Sequence, residues 1–134
     1  MNPRYLAVAE RAAHRCEYCH APEVVFNFPF EVEHIIPPGR GEAPEDEANL
    51  ALSCRACNLY KSDHLEGIDP ETQAAARLFH PRRDHWEEHF LFDPATGTFI
   101  GRTSIGRATV ARLQMNAPVQ RAARRQWVRL GLFP

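Results

Sequence analysis

The chain lacks any apolar run near the roughly 18 residues that a membrane span requires. Its opening residues, MNPRYLAVAERAAHR, are interrupted by Arg4, Glu10 and Arg11. That pattern excludes a membrane helix and has no apolar stretch of a secretory leader, so a cytoplasmic protein is expected. Repeats and low-complexity tracts are also missing. Lysine is nearly so, Lys61 being the only one. Carboxylates disappear altogether after Asp93, and the remaining residues carry seven arginines: Arg102, Arg107, Arg112, Arg121, Arg124, Arg125 and Arg129.

What is present describes an ordinary globular chain. Its 134 residues, 44% hydrophobic and 25% charged with a net charge of -1, correspond to one domain. The charge is unevenly divided. Residues 1–79 hold 7 basic and 13 acidic side chains, and residues 80–134 hold 9 and 4. Clustered arginine at the C-terminal end suits a polyanion, because it neutralises phosphates and releases their counterions. The same residues also fit a solvated helix face.

Four cysteines form two C-x-x-C pairs, Cys16-Glu17-Tyr18-Cys19 and Cys54-Arg55-Ala56-Cys57, with 34 residues between them. In a reducing compartment structural disulfides are disfavoured, and two such knuckles supply four thiolates for a tetrahedral Zn2+. A thioredoxin-like redox pair would leave the second knuckle unexplained. The spacer exceeds the roughly 15 to 20 residues of common zinc ribbons, so it must contain folded chain.

Local signals divide that chain. Asn2 as N-cap and Pro3 at N1 predict a helix to about Arg15, with Leu6, Ala9 and Ala13 on its inner face. Residues 24–36 read as one or two strands around Asn27–Pro29, residues 37–47 as a loop, and Asn49–Ser53 as a short strand. Helices are expected over 58–65 and 70–80. A hairpin is expected across the turn Pro94–Gly97, followed by helices over about 105–115 and 118–130.

The chemistry gathers in Glu33-His34-Ile35-Ile36-Pro37, then Asn49-Leu50, then Cys54-Arg55-Ala56-Cys57-Asn58-Leu59-Tyr60-Lys61. In order and spacing, residues 16–61 resemble the HNH endonucleases, whose His-Me finger is a β-hairpin and helix clamped around one metal ion. The resemblance implies an α+β fold: a small zinc-stabilised ββα-metal finger over residues 16–65, with an Arg-rich hairpin and helical extension over 80–134. It also implies metal-dependent hydrolysis of DNA phosphodiesters, leaving 5′-phosphate and 3′-hydroxyl ends. His34 corresponds to the general base, since an imidazole can accept a proton at neutral pH. Glu33 and Asn58 correspond to the ligands of a catalytic Mg2+ or Mn2+, an oxygen donor set that suits such an ion. On a regular strand Glu33 and His34 point to opposite sides, so sharing a site needs a local twist. Asn49 matches the residue that ties the loop to the strand. Lys61, one turn beyond Asn58, is placed to touch a phosphate. Simpler roles exist for several of these: Asn49 as a turn residue, Glu33 and Lys61 as surface charges.

His85-Trp86-Glu87-Glu88-His89 imitates the H-x-x-E-H signature of zinc proteases. Such a site requires a further acidic ligand well downstream, and none follows Asp93. Trp86 and Phe90 are instead expected to pack a short helix, with Arg82 and Arg83 facing outward. On the last helix Arg121, Arg125 and Arg129 recur at i, i+4 and i+8 with Arg124 beside them, a stripe expected to meet DNA phosphates. Pairing of these arginines with the acidic loop over 42–47 is the alternative, and it would shift DNA contact to Arg82, Arg83, Arg102 and Arg107. The oligomeric state is not specified by the sequence. A non-catalytic zinc module that binds nucleic acid is the competing class of function.

Overall fold

The computed structural model describes residues 2–40 and 47–134. They form an α+β domain of three two-stranded antiparallel sheets with helices packed around them. In chain order the elements are α1 (Tyr5–Arg11), β1 (Glu31–His34), β2 (Leu50–Ser53), α2 (Arg55–Lys61), β3 (Glu66–Ile68) and β4 (Ala75–Arg77). Then come α3 (Trp86–His89), β5 (Phe90–Asp93), β6 (Thr98–Gly101), α4 (Ser104–Arg112) and α5 (Pro118–Arg129). No helix of the described residues is long and apolar enough to cross a membrane.

The unit that carries the chemistry is β1–β2–α2. β1 pairs with β2 in the register Glu31↔Ser53 to His34↔Leu50. All four residues of β2 are buried, as expected for a strand covered on both faces. β2 leads through Cys54 directly into α2. The backbone N–H of Cys57 donates to Cys54 Sγ at 3.4 Å, so a cysteine sulfur serves as the N-cap. This helix begins three residues before the predicted 58–65, because capping by a cysteine is not among the usual start signals.

Two other expectations, on α1 and on residues 70–80, are corrected, and the one or two strands expected over 24–36 narrow to one. α1 spans Tyr5–Arg11 rather than reaching Arg15, since Ala13 and His14 adopt φ of 53° and 56° and end the helix. Asn2 forms a local turn with the N–H of Arg4 at 2.7 Å instead of capping the helix. The buried face is Tyr5, Val8 and Ala9, leaving Leu6 exposed. Residues 24–36 give a 3-10 turn (Glu23–Phe26), closed by left-handed Asn27, and the single strand β1. The alanine-rich 70–80 segment is strand β4, not a helix. Asp69 holds the N–H of Glu71 at 2.9 Å, Gln73 turns the chain at φ 63°, and α4 packs over both β3 and β4. Tertiary packing overrides alanine's helix propensity here.

The C-terminal extension grips the finger. Trp86 stacks on His20 at 4.2 Å and donates its indole N–H to the carbonyl of Tyr18, inside the first knuckle, at 2.8 Å. Arg82 is not directed outward: it pairs with Glu17 of the same knuckle. His89 is buried, with Nδ1 2.6 Å from the Thr103 hydroxyl, while His85 stands at the N-terminus of α3. The H-x-x-E-H segment thus gives a structural turn of helix. Gly106 lets α4 approach α3, because a Cβ there would lie 2.0 Å from the carbonyl oxygen of His89.

Arg124 is the extreme case of an arginine used internally. It is 1% exposed, donates to the Gly97 carbonyl at 2.8 Å and to the Met115 carbonyl, and lies 4.3 Å above the Phe99 ring. Removing it leaves two inward carbonyls without their donor and opens a void. Arg124→Ala is expected to lower the stability of the zinc-loaded protein by about 3 kcal/mol or more, as measured by urea unfolding.

Candidate functional site

Two features converge beside β1. The first is a cluster of four buried cysteines, Cys16, Cys19, Cys54 and Cys57, whose sulfurs all lie within 4.8 Å of one another. The first knuckle is a tight turn, with N–H of His20 to the carbonyl of Cys16 at 2.9 Å and N–H of Cys16 to Ala21 at 3.0 Å. The second is the start of α2. Cys19 and Cys54 sulfurs stand 3.7 Å apart, and tetrahedral zinc with bonds of about 2.3 Å sets sulfurs about 3.8 Å apart. The four residues therefore fit a structural zinc ion. Burial raises the Cys16 thiol, but hydrogen bonds from Cys19, Cys54 and Cys57 outweigh it and hold Cys16 well below the usual thiol range.

The second feature is the main chain around His34. Lys61 is 2% exposed, and its ammonium is directed into the protein. It meets Glu33 Oε2 at 3.1 Å, the Ile35 carbonyl at 2.9 Å and the His34 carbonyl at 3.3 Å. The other oxygen of Glu33 accepts from the hydroxyl of buried Tyr18. Burial pushes the Glu33 carboxyl above its usual range, against the opposing pull of Lys61 and of the Tyr18 hydroxyl. Burial and the facing carboxylate raise the Tyr18 phenol well above 10, so it stays protonated and donates.

Asn49 holds the same stretch from the other side. Its side chain accepts from the N–H of Ile36 and donates to the carbonyl of Ile36, both at 2.9 Å. Its own carbonyl takes the N–H of Ile35 at 2.9 Å. His34, half-buried at the end of β1, is thus fixed through its main chain. Among the described residues nothing hydrogen-bonds or pairs with its ring.

The structure does not assemble every residue the sequence grouped. Glu33 faces inward to Tyr18 and Lys61, and Asn58 donates its amide N–H instead to exposed Glu31, two residues earlier on the strand. Glu33 and Asn58 as they stand therefore do not fit as a ligand pair for a divalent ion. An ion entering at Glu33 has to displace the Lys61 ammonium, because two cations on one buried carboxylate repel each other. Lys61 itself spends its charge on Glu33 and two carbonyls rather than offering it to phosphate. Tyr18 and Glu31 were not singled out from sequence. An aromatic residue between two metal-ligating cysteines is a signal of burial that could have pointed to Tyr18.

On α5, Arg121 Nε donates to the Asn116 carbonyl and Arg125 Nη1 to the Thr96 carbonyl, each at 3.0 Å, and Arg129 is exposed. The Arg125 bond anchors the helix to the hairpin turn and the Arg121 bond to the α4–α5 connection, and among the described residues no carboxylate pairs with either charge. Of the acidic loop over 42–47 expected as their alternative partner, residues 42–46 lie outside the described residues.

Residues 16–64 match the family model of HNH endonucleases. That segment takes in both cysteine knuckles, β1, β2 and α2, so this part of the chain is similar to a family of nucleases acting on nucleic acid. No curated protein and no solved structure matches the chain. Because four inward thiolates form a closed site, the purified protein is expected to contain one zinc per chain by elemental analysis. Stripping it with a strong chelator is expected to abolish the cooperative unfolding transition.

Proposed function

We propose that the protein is an endonuclease that hydrolyses DNA phosphodiester bonds, with His34 as general base. The observation that carries this reading is the free imidazole of His34 on a main chain held by Lys61 and Asn49. In the proposed step, a water attacks phosphorus while His34 takes one of its protons. The new P–O bond forms in line with the departing 3′ oxygen, which acquires a proton from solvent. The products are a 5′-phosphate, a 3′-hydroxyl and a protonated His34 that returns its proton to water.

Dependence on Mg2+ or Mn2+ is part of the proposal on the strength of the family likeness. Asn58 and Glu33 are the ligands that likeness names, and no step is assigned to the ion while Glu33 is bonded to Lys61. Long-range substrate attraction is assigned chiefly to cationic side chains outside the finger, among them Arg121, Arg125 and Arg129. One finger cuts one strand, so nicking is the expected elementary event. The engagement of Glu33 by Lys61 and Tyr18 favours a second reading, a zinc module that binds nucleic acid without cutting it.

Plasmid nicking with Mg2+ against EDTA separates the two. His34→Ala is expected to lower cleavage by about 100-fold or more, with fold and DNA affinity retained, because the base acts in the transition state. Cleavage by that variant at more than about a tenth of the native rate would place the base elsewhere.

A further inference from the structure

The extension that follows the family match closes one side of a cavity at the turn that follows His34. Its volume is about 390 Å3, within the roughly 300 to 1,000 Å3 typical of small-molecule sites. Ile35 and Ile36, the residues immediately after His34, form part of its wall. Among the described residues, every titratable side chain lining it is basic: Arg40, Lys61, His64, Arg77, His80 and Arg83. No carboxylate is among them, although the chain as a whole has a net charge of -1. The floor includes buried Leu78 and Phe79.

These cations differ in how far they are already committed. Arg77 is forked onto Asp84 at 2.7 and 2.9 Å, and Lys61 is held by Glu33. Arg40 and Arg83 are exposed, and among the described residues no carboxylate pairs with either guanidinium. The other extension arginines named as alternative DNA contacts are engaged: Arg82 with Glu17, Arg107 with Asp69 and Glu71, and Arg102 with the carbonyl of Glu87. Two guanidinium groups with no carboxylate partner among the described residues therefore stand at a cavity whose wall includes Ile35 and Ile36, the residues that follow His34.

We infer that this cavity seats the phosphate backbone of the DNA strand to be cut, with Arg40 and Arg83 as the phosphate contacts. An arginine fork matches a phosphate in geometry as well as charge, and the apolar floor suits deoxyribose better than water. The inference rests on the proposed nuclease reading and adds where the strand lies. Residues 77–83, beyond the family match, supply half of the site.

The test measures binding apart from cleavage. Zinc-loaded protein carrying His34→Ala is titrated against a fluorescein-labelled 30-base-pair duplex by anisotropy, from 50 to 200 mM KCl. Adding Arg40→Gln and Arg83→Gln is expected to weaken binding several-fold and to lower the slope of log K against log salt by about 1.8, at about 0.9 per phosphate contact. An unchanged slope and affinity would overturn the inference, as would failure of the single His34→Ala protein to bind the duplex at all. A comparable loss confined to Arg121→Gln with Arg125→Gln would also overturn it and assign the strand to α5. Failure of the nuclease reading looks different: His34→Ala would keep cutting, or the native protein would bind without cutting.

Discussion

The buried ammonium of Lys61 is the constraint around which the site is arranged. Taking a charge out of water costs several kcal/mol unless a partner and hydrogen bonds replace the lost solvation. Here Glu33 supplies the charge and the carbonyls of His34 and Ile35 supply the remaining acceptors. The group that most needs partners thereby takes them from the turn that carries His34. Asn49 fixes the next residue, Ile36, through both its N–H and its carbonyl. A residue on α2 and a residue just before β2 thus hold three consecutive peptide units, while the imidazole stays unengaged. The cysteine cluster sets the position from which Lys61 acts, because α2 begins at Cys54 and the cluster ties that end to the knuckle containing Tyr18.

The extension is structural as well as cationic. Trp86 closes over His20, Arg82 reaches Glu17, Arg107 forks onto buried Asp69 at 3.0 Å through two nitrogens, and Arg124 fills the space above Phe99. The Arg107 guanidinium holds the Asp69 carboxyl down to about 2. A chain end without carboxylates is stable here because its arginines find carbonyls, ring faces and acids contributed by the first half. The charge asymmetry of the sequence is therefore in part an account of how the two halves are joined.

Which features were legible in the sequence follows from how local their causes are. The two C-x-x-C pairs specify a tetrahedral thiolate site by spacing alone, and Glu33-His34 with Asn49 and Asn58 marks the finger by order. The hairpin over 90–101 is announced by its Pro94–Gly97 turn, and α5 by Pro118 at its first turn. What depends on tertiary contact was not legible. Residues 70–80 read as helix after Asp69 and Pro70, yet residues 75–77 become a strand because β3 and α4 offer a better place. Lys61 reads as a surface phosphate contact until Glu33 is found facing it, a pairing 28 residues apart in sequence. Arg124 stands beside the outward stripe in sequence, yet it is drawn inward by Gly97, Met115 and Phe99.

The central claim is that the Glu33–Lys61 pair holds the His34 turn in place. A double-mutant cycle on the zinc-loaded protein tests it, comparing Glu33→Gln, Lys61→Met and the combined variant by equilibrium unfolding. Each single change is expected to cost about 3 to 5 kcal/mol, because each strands a buried polar or charged partner. The combined variant is expected to cost clearly less than their sum. A single variant too unstable to fold agrees with a buried pair of this kind. Single changes that each cost below about 1 kcal/mol, or costs that simply add, would contradict the claim.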